Sequence, residues 1–528
     1  MAKVLVTDKL ASEGLEILEH APGITVVAEF GLKGDELLAA MTDAEGLVIR
    51  SGTQVTAEVI AVADKLRVIG RAGIGVDNVN IPAATARGIV VMNTPSGNNI
   101  TTAEHAIALL VSLARHIPQA TTSMKAGKWE KSRFIGMEIY NRTLAVIGLG
   151  NIGRLVAGRA KGLGMKVIAY DPFLSETAKA AADVELVSFE EMLTRADAIS
   201  VHVPRTPETT GLLNDAAFAK VRPGVLIINA ARGGIIDEAA LLRALDAGHV
   251  GGAGIDVFEN EPPSADDPLI LHDRVICTPH LGASTEQAQV NVAIAVAEQV
   301  RDYLVDGIVG NALNVPSISK ELYAQIRPYL ELGEKLGRFQ GQLRPGSIDR
   351  IEIEYSGNAA ELEVAPITVS ILKGILESFS DEVNLVNAPM IAKQHGIEVV
   401  ESKVSRSRDF ASAISTRVVG SGDRYIVGAV FHGDQPRIVR IDDFMLEAIP
   451  EGSTLFIQNQ DQPGVVGAVG TVLGQGGINI SRMQLALIPE RSLAAMLVNV
   501  DRAPDEAVMK QLHNLPHLIS AQLVELGS

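Results

Sequence analysis

The chain has 528 residues, a formal net charge of −17 and 47% hydrophobic residues. This length exceeds what one hydrophobic core supports and predicts three or four domains. The negative charge disfavours nucleic acid as a partner, because nucleic-acid binding requires a basic face. An anionic substrate would need a local cluster of arginine or lysine side chains.

Two further features of the composition bear on the cellular compartment. Cys277 is the single cysteine, which excludes a disulfide within the chain and favours a reducing cytoplasm. It stands in the apolar run RVICTP, so we expect it to pack in a core. The start MAKVLVTDKL has the pattern of a strand rather than of a signal peptide. The longest uncharged run, 462–481, is broken by glycines, so no membrane span is expected.

Short apolar runs alternate with helical patterns over the first 95 residues. This alternation predicts buried parallel strands. The predicted strands are Lys3–Asp8, Gly46–Ser51, Leu66–Gly73 and Ile89–Pro95. The next stretch, TTAEHAIALLVSLARHI, predicts a helix with Thr101 or Thr102 as its N-cap.

The alternation restarts at residue 144 and continues through five further strands, in KVIAYDP, AISVHVP, VLIINAA, AGIDVF and VICTPH. Two successive runs of this kind predict two doubly wound α/β domains, with ligands binding in the cleft at their carboxyl strand ends. The helical run after His280 is expected to return to the first domain and make it discontinuous.

The pattern changes after residue 319. Residues from about 320 to 452 mix alternating strands with a helix, which predicts an α+β domain. The last 76 residues follow the order β-α-β-β-α-β, which is typical of a ferredoxin-like fold.

A glycine motif opens the second α/β domain. Gly148, Gly150 and Gly153 follow a predicted strand and begin a predicted helix, while Asp171 ends the next strand. Glycines at this spacing permit a tight turn and the approach of a pyrophosphate to the helix N-terminus. An aspartate at the end of the second strand accepts hydrogen bonds from ribose and repels a 2′-phosphate, which favours NAD over NADP.

Three later strands end in polar groups that suit hydride transfer involving a 2-hydroxy acid. Arg232 can pair with a substrate carboxylate, His280 can take the hydroxyl proton, and Glu261 can fix the His280 tautomer. Asp256 ends the strand before Glu261. His202 is the rival base, although its place within an apolar strand favours a core position.

The motifs VIGLGNIG, NAARGGIIDE, GIDVFENEPP and TPHLGAST together resemble those of the D-isomer-specific 2-hydroxyacid dehydrogenases. The stretches GRAGIGVDNV and NTPSGNNITTAEHAIAL are similar to the phosphoglycerate-oxidising long-form members, which add an intervening domain and a regulatory ACT domain. The resemblance implies a Rossmann-like NAD domain inserted in a flavodoxin-like substrate domain. The implied boundaries are 1–97 with 285–314 for the substrate domain, 98–284 for the NAD domain, 317–452 for the intervening domain and 453–528 for the ACT domain.

The same resemblance implies roles for individual residues. It implies Arg232, Glu261 and His280 as the catalytic triad. The implied NAD-binding residues are Gly148, Gly150, Asn151, Ile152, Gly153, Asp171, Val203, Ala230, Arg232, Asp256 and His280. The residues implied for the substrate are Arg50, Ser51, Arg71 and Asn98.

The last domain is expected to bind a small amino acid. Asp461 precedes a predicted helix and suits an ammonium group, while Asn479 and helix N-terminal amides suit a carboxylate. The resemblance implies L-serine as the effector, held between the ACT domains of two subunits. Asn459 stands where relatives carry histidine or tyrosine.

The expected function is oxidation of 3-phospho-D-glycerate to 3-phosphooxypyruvate with NAD, the first step of phosphorylated L-serine biosynthesis. A homotetramer without a metal site, a nucleic-acid partner or a membrane partner is expected. Two alternatives share the fold. They are a glyoxylate or hydroxypyruvate reductase and an NAD-sensing corepressor.

Overall fold

A computed structural model gives the fold of the chain. The described residues are 1–171, 173–174, 183–318, 320–343, 346–380, 382–405, 410–432 and 434–527. Within these ranges, four β-sheets organise the chain. No helix in the described ranges is long and apolar enough to cross a membrane.

The first sheet comes from the N-terminal part of the chain. Its strands are β1 (Ala2–Val6), β2 (Ile24–Ala28), β3 (Gly46–Ile49), β4 (Val68–Arg71) and β5 (Val90–Asn93). The connecting helices are α1 (Ser12–Glu19), α2 (Gly34–Met41), α3 (Ala57–Ala61) and α4 (Ile81–Ala86). The order is β2-β1-β3-β4-β5 and all pairs are parallel. The four predicted strands are confirmed. The sequence analysis missed β2, an edge strand that is only partly buried.

The second sheet is larger and also parallel. Its strands are β6 (Thr143–Ile147), β7 (Lys166–Tyr170), β8 (Glu185–Leu186), β9 (Ala198–Val201), β10 (Val225–Asn229), β11 (Val250–Ile255) and β12 (Val275–Cys277). The helices are α5 (Asn99–Ala114), α6 (Ile117–Lys125), α7 (Asn151–Gly162), α8 (Phe189–Arg195), α9 (Asp215–Phe218), α10 (Glu238–Asp246) and α11 (Pro268–Leu271). The order is β12-β11-β10-β9-β6-β7-β8. The two doubly wound units are therefore confirmed.

The crossover helix α5 begins earlier than predicted. Asn98 precedes its first residue, so Thr101 and Thr102 lie in the first turn and neither is the N-cap. The Thr102 hydroxyl instead donates to the Asn98 carbonyl at 3.0 Å. A threonine inside the first turn can make this backward bond, which explains why residue type alone pointed to the wrong cap.

A long helix, α12 (Glu286–Asp306), returns the chain to the first sheet. Its buried residues Val292, Val296 and Val300 pack in one core with Val4 and other strand residues of that sheet. A Cβ on Gly70 of β4 would lie 2.7 Å from the methyl groups of Val296 and Val300, so glycine permits this close packing. The first unit is discontinuous, as predicted.

The third sheet is mixed. Its strands are β13 (Ile348–Gly357), β14 (Glu398–Val404), β15 (Ser412–Gly420), β16 (Arg424–Phe431), β17 (Gln435–Ile441) and β18 (Phe444–Ala448). Its helices are α13 (Lys320–Leu343), α14 (Ala365–Leu376) and α15 (Ala388–Gln394). The order is β14-β13-β15-β16-β17-β18, and only the β13–β14 pair is parallel.

The fourth sheet has the predicted ferredoxin-like order. Its strands are β19 (Ser453–Gln460), β20 (Ile480–Ile488), β21 (Leu493–Val500) and β22 (Leu518–Glu525), with helices α16 (Val465–Gln475) and α17 (Glu506–His513). The strands run antiparallel in the order β20-β21-β19-β22. One face packs against α13 of the third unit, where the rings of Phe339 and Phe456 lie 6.1 Å apart.

Candidate active site

The predicted catalytic residues follow three neighbouring strands of the second sheet. Arg232 follows β10, Glu261 follows β11 and His280 follows β12. Because the carboxyl ends of parallel strands meet at one edge of a sheet, the three side chains share that edge.

His280 and Glu261 form a direct pair. The His280 Nδ1 lies 2.7 Å from Glu261 Oε2, and Glu261 Oε1 accepts a hydrogen bond from the Phe258 backbone N–H at 3.1 Å. Burial raises the pKa of Glu261, but the hydrogen bonds from His280 and Phe258 outweigh burial and leave that pKa lowered. An ionised Glu261 requires Nδ1 to be the donor, which leaves Nε2 of His280 as a proton acceptor.

Arg232 connects the second sheet to the first. Its Nε donates to Asp77 Oδ2 at 2.9 Å, and its Nη1 donates to the Ala231 carbonyl at 2.6 Å. Asp77 lies in the loop after β4 of the first sheet. A Cβ on Gly75 in that loop would lie 1.7 Å from Arg232 Nη2, so glycine makes room for the guanidinium.

Arg71 lies close enough to both Arg232 and Arg50 to be repelled by their charges, and we call these three residues the cationic cluster. Burial, followed by the charges of Arg232 and Arg50, lowers the pKa of Arg71 to about 10. The Arg71 Nε is buried without a hydrogen-bond partner among the described residues. A bound anion would therefore stabilise the cationic cluster. The cluster also supplies the local positive charge that an anionic substrate needs in a chain with a negative net charge.

The other two residues predicted for the substrate differ in burial. Ser51 is exposed next to Arg50, whose backbone N–H donates to Asp8 Oδ2 at 2.6 Å. Asn98 is buried just before α5, and its Oδ1 has no hydrogen-bond partner in the described ranges. A buried, unpaired amide oxygen is uncommon and can receive a donor from a ligand.

The glycine turn fits a dinucleotide. Gly148 has a φ of 91°, and a Cβ there would lie 2.6 Å from the His202 carbonyl and 2.7 Å from Val203 Cγ1. A Cβ on Gly153 would lie 1.9 Å from the Gly148 carbonyl. A Cβ on Gly150 would meet nothing within 4 Å. Two glycines therefore serve packing, whereas the middle one faces open space where a pyrophosphate can approach.

Asp171 is attached to this turn. Its Oδ2 accepts the Leu149 backbone N–H at 2.8 Å, and its Oδ1 accepts the Phe173 N–H at 2.9 Å. Asn151 and Ile152 begin α7 directly after the turn. The carboxylate is therefore held in a fixed place and keeps further lone pairs for ribose hydroxyls.

Asp256 is buried directly after β11 and is hydrogen bonded to the loop that follows β12. Its side chain is 0% exposed and accepts hydrogen bonds from Thr278 Oγ1 at 2.6 Å, Leu281 N–H at 2.7 Å and Gly282 N–H at 2.8 Å. Burial raises the pKa of Asp256, but hydrogen bonds from His105 and these partners outweigh it and lower that pKa. In this conformation Asp256 holds the loop that carries His280. Val203 and Ala230 are also buried, at 6% exposure.

His202, the rival base, is bonded to a neighbouring hydroxyl group. His202 lies 2.7 Å from the Ser200 hydroxyl, and burial lowers its pKa to about 4, so it stays neutral near pH 7.

The expectation that Cys277 is buried is wrong. It ends β12 at the edge of the second sheet and is exposed. An apolar run does not reveal which strand lies at an edge.

The predicted effector residues lie apart within one chain. Asp461 follows the last residue of β19, whereas Asn479 precedes β20, and the antiparallel register puts these points at opposite ends of the sheet. A strand of eight residues spans about 26 Å. One serine therefore cannot touch both residues of a single chain. Asn459 is 3% exposed, and its Oδ1 has no partner within the described part of the chain.

Sequence reasoning missed three residues of this region. Asp77 holds Arg232, while His105 and Thr278 hold Asp256. Asp77 belongs to the quoted stretch GRAGIGVDNV, but its partner is 155 residues away. The described residues contain no group of three histidine, cysteine or carboxylate side chains able to hold a metal.

Comparison with known proteins agrees with the fold and site of the first two units. Residues 107–282 match the D-isomer specific 2-hydroxyacid dehydrogenase, NAD binding domain. A glyoxylate reductase from Paecilomyes thermophila is 28% identical with a TM-score of 0.55, over 59% of this chain and 98% of that chain. A D-lactate dehydrogenase from Escherichia coli is 28% identical with a TM-score of 0.52, over 59% of this chain and 100% of its own. The fold and site define an NAD-dependent oxidoreductase of the D-isomer-specific 2-hydroxyacid dehydrogenase class.

The rest of the chain narrows this assignment. Residues 325–442 match the D-3-phosphoglycerate dehydrogenase intervening domain, and residues 453–517 match the ACT domain. The D-3-phosphoglycerate dehydrogenase of Bacillus subtilis is 42% identical over 100% of both chains. That of Synechocystis sp. is 41% identical over 100% of this chain and 95% of its own. The chain belongs to the D-3-phosphoglycerate dehydrogenase family, in the long form with intervening and ACT domains.

Proposed function

We propose that the chain oxidises 3-phospho-D-glycerate to 3-phosphooxypyruvate with NAD, the first step of phosphorylated L-serine biosynthesis. The observation that carries this proposal is the geometry at the junction of the first two sheets. The His280–Glu261 pair, 2.7 Å apart, is arranged for general acid–base catalysis. The cationic cluster supplies positive charges for a substrate that carries a carboxylate and a phosphate.

The chain's own residues divide the chemistry between them. NAD, when bound, accepts the hydride. Arg232 pairs with the substrate carboxylate and polarises the 2-oxygen. His280 Nε2 takes the hydroxyl proton, and the ionised Glu261 stabilises the resulting imidazolium through Nδ1. We assign Arg232, Glu261 and His280 as the catalytic residues on this basis.

We propose that NAD is held by the glycine turn, the residues after it and the ends of the adjacent strands. The open space at Gly150 supports a pyrophosphate site, and the fixed carboxylate of Asp171 supports ribose binding. The proposed set is Gly148, Gly150, Asn151, Ile152, Gly153, Asp171, Val203, Ala230, Arg232, Asp256 and His280. Asp256 also holds the loop that carries His280, because its carboxylate accepts the Leu281 N–H.

We propose Arg50, Ser51, Arg71 and Asn98 as the remaining substrate ligands. Arg50 and Arg71 suit the phosphate, since guanidinium groups bind it with two parallel hydrogen bonds. The unpaired Arg71 Nε supports this assignment, because an oxygen of the substrate phosphate would accept its hydrogen bond.

A single assay tests the proposed function against its alternatives. Purified chain is mixed with NAD and with 3-phosphoglycerate, glycerate or lactate, and NADH is followed by its absorbance. Preference for 3-phosphoglycerate supports the proposal, and His280→Ala serves as the inactive control. Preference for glycerate would indicate a glyoxylate or hydroxypyruvate reductase. NAD binding without turnover of any acid would indicate an NAD-sensing corepressor.

We further propose that L-serine regulates the enzyme through the ACT domain, at a site shared by two copies. The separation of Asp461 from Asn479 within one chain supports such sharing, since the two residues could meet only across an interface. Asp461 would bind the ammonium group and Asn479 the carboxylate, with Asn459 beside them.

We propose a cytoplasmic homotetramer, with the domain boundaries given above. The exposed Trp129 (81%) and Ile135 (78%) belong to one short segment of the chain and support an oligomer, because exposed apolar surface commonly marks an interface. The packing of α12 against the first sheet supports a substrate domain made of residues 1–97 and 285–314.

A further inference from the structure

Among the described residues, Asp77 is the one acidic side chain that pairs with the proposed catalytic arginine, Arg232. Its Oδ2 lies 2.9 Å from Arg232 Nε, across the junction between the first and second sheets. The Asp77 side chain is 70% exposed and that of Arg232 is 27% exposed. An ion pair this exposed contributes little to stability, so the contact calls for a role other than folding.

The contact fixes the orientation of the arginine. Arg232 Nη1 is held by the Ala231 carbonyl at 2.6 Å, and Nη2 lies against Gly75. With Nε held by Asp77, the planar guanidinium cannot turn about its last bonds without losing a hydrogen bond. An arginine that must meet a carboxylate and a 2-oxygen together needs such a fixed plane.

The contact also adjusts the charge of the site. Arg232 and Arg50 both disfavour the charged form of Arg71, whereas Asp77 favours it. Asp77 therefore offsets repulsion within the cationic cluster before any substrate anion arrives. Its removal would leave the cluster with one more net positive charge, which favours binding of an anion in the ground state.

We propose that Asp77 is a positioning residue for the reaction: it holds Arg232 Nε so that the guanidinium meets the substrate carboxylate and 2-oxygen only when the loop after β4 lies against the second sheet. This inference rests on the proposed function. It links the approach of the two sheets to the assembly of the catalytic group, because the two partners belong to different sheets.

The expected signature is a split between kcat and KM. Asp77→Ala should lower kcat by about 100-fold, the scale expected when a reacting group is misplaced by about 1 Å. The KM for 3-phosphoglycerate should stay unchanged or fall, because the cationic cluster gains net charge. Asp77→Asn retains an oxygen that accepts from Nε, so it should restore kcat to within about tenfold of the unmodified chain.

Asp64→Ala is the matched control. Asp64 is an exposed carboxylate that pairs with Arg87 at 2.8 Å in the same unit. This control should leave kcat and KM unchanged, and the thermal unfolding midpoint should be unchanged in all three variants.

Two results would overturn the inference. One is an unchanged kcat in Asp77→Ala, and the other is a fall in kcat that comes with a raised KM and a lowered unfolding midpoint. Failure of the proposed function would look different. The unmodified chain would then prefer another 2-hydroxy acid, and the same comparison of kcat with KM would be made with that acid.

Discussion

At the scale of single residues, the site separates two histidines by their surroundings. His280 is half exposed and hydrogen bonded to a carboxylate, whereas His202 is packed against the glycine turn and bonded to a neutral hydroxyl. An imidazole that must gain a proton during turnover needs an anion beside it. The two environments therefore support the proposal that His280 is the proton acceptor and that His202 has a packing role.

The first prediction concerns the His280–Glu261 pair. His280→Ala should lower kcat by about 10²–10⁴-fold, the usual contribution of general acid–base catalysis. Glu261→Gln should keep much of the NAD binding but move the acidic limb of the kcat/KM profile to lower pH, because the imidazolium loses its anionic partner. Steady-state kinetics from pH 6 to pH 10 measure both effects. Loss of turnover in His202→Ala with activity retained in His280→Ala would contradict the assignment.

The second prediction concerns the pH dependence of stability through His202. Its pKa is about 4 in the folded chain and 6.5 in its ordinary range. The unfolded chain therefore binds the extra proton, and stability present above pH 6.5 is lost as the pH falls toward 4. The loss between pH 7 and pH 5 should be about 2 kcal/mol from this residue.

His202→Gln provides the comparison, because glutamine can bond to Ser200 but does not titrate. Urea unfolding at pH 7 and pH 5, followed by circular dichroism, should show a smaller loss of stability for the variant. Equal losses in both proteins would mean that His202 takes up its proton as easily in the folded chain as in the unfolded one.

At the scale of elements, the three glycines of the glycine turn have three different structural roles. Gly148 needs its left-handed φ, Gly153 permits contact of α7 with the turn, and Gly150 is free of close neighbours. A substitution can therefore separate binding from folding at Gly150 alone, where φ is −67° and suits any residue.

The third prediction uses that difference. Gly150→Ala should leave the thermal unfolding midpoint unchanged and raise the KM for NAD by about tenfold or more, because a methyl group would crowd the pyrophosphate. Gly158→Ala is the control, since Gly158 lies in α7, the helix that Gly150 precedes, and its Cβ would also meet nothing within 4 Å. This control should leave the KM for NAD unchanged. A similar KM for NAD in both variants would place the pyrophosphate elsewhere.

The sequence predicted buried strands and helices better than it predicted edge strands and tertiary contacts. Continuous apolar runs identified the buried strands of both parallel sheets, because strands buried on both faces have that pattern. The edge strand β2 and the two-residue β8 lack it. The same limit explains Cys277, which ends an apolar strand at a sheet edge.

The candidate site was predictable where a motif carries the chemistry. The polar ends of β10, β11 and β12 indicated that Arg232, Glu261 and His280 share one edge of the sheet, because adjacent parallel strands end together. Asp77 was not predictable, since its contact depends on how the first sheet lies against the second. The enclosed position of Asp256 depends on His105, which comes from a helix far away in the sequence.

At the scale of the whole molecule, the third and fourth sheets, with their helices, pack against the rest of the chain. The fourth sheet shares a core with α13, and Gln342 exchanges two hydrogen bonds with the backbone of Glu525 at 2.9 Å each. The third unit contacts the first through Asn384, which donates to the Gly88 carbonyl at 3.3 Å, and through Val386, which is buried among core residues of the first sheet. Packed contacts therefore run from the ACT domain to the substrate domain and can carry a coupling free energy.

The last prediction tests whether serine binds between two copies of the ACT domain. Asp461→Ala and Asn479→Ala should each abolish serine inhibition and leave uninhibited turnover unchanged, because both residues adjoin strands of the fourth sheet, whereas the proposed catalytic residues follow strands of the second. The coupling free energy between two ligand sites is typically about 1–3 kcal/mol, which corresponds to a change in affinity of about five- to hundred-fold. Titration of serine against turnover measures it.

A mixture of the two variants makes the test specific. In a symmetric pair that contains one chain of each variant, one site receives the native Asp461 and the native Asn479 from different chains, while the other site lacks both. Co-refolded mixtures should therefore recover part of the serine inhibition that neither variant shows alone. As the control, the Asp461→Ala variant is refolded alone by the same procedure, and it should recover no serine inhibition. If the mixed assembly stays insensitive while the unmodified chain is inhibited, the two residues do not share a site, and the effector would bind elsewhere, with the intervening domain as the next region to test.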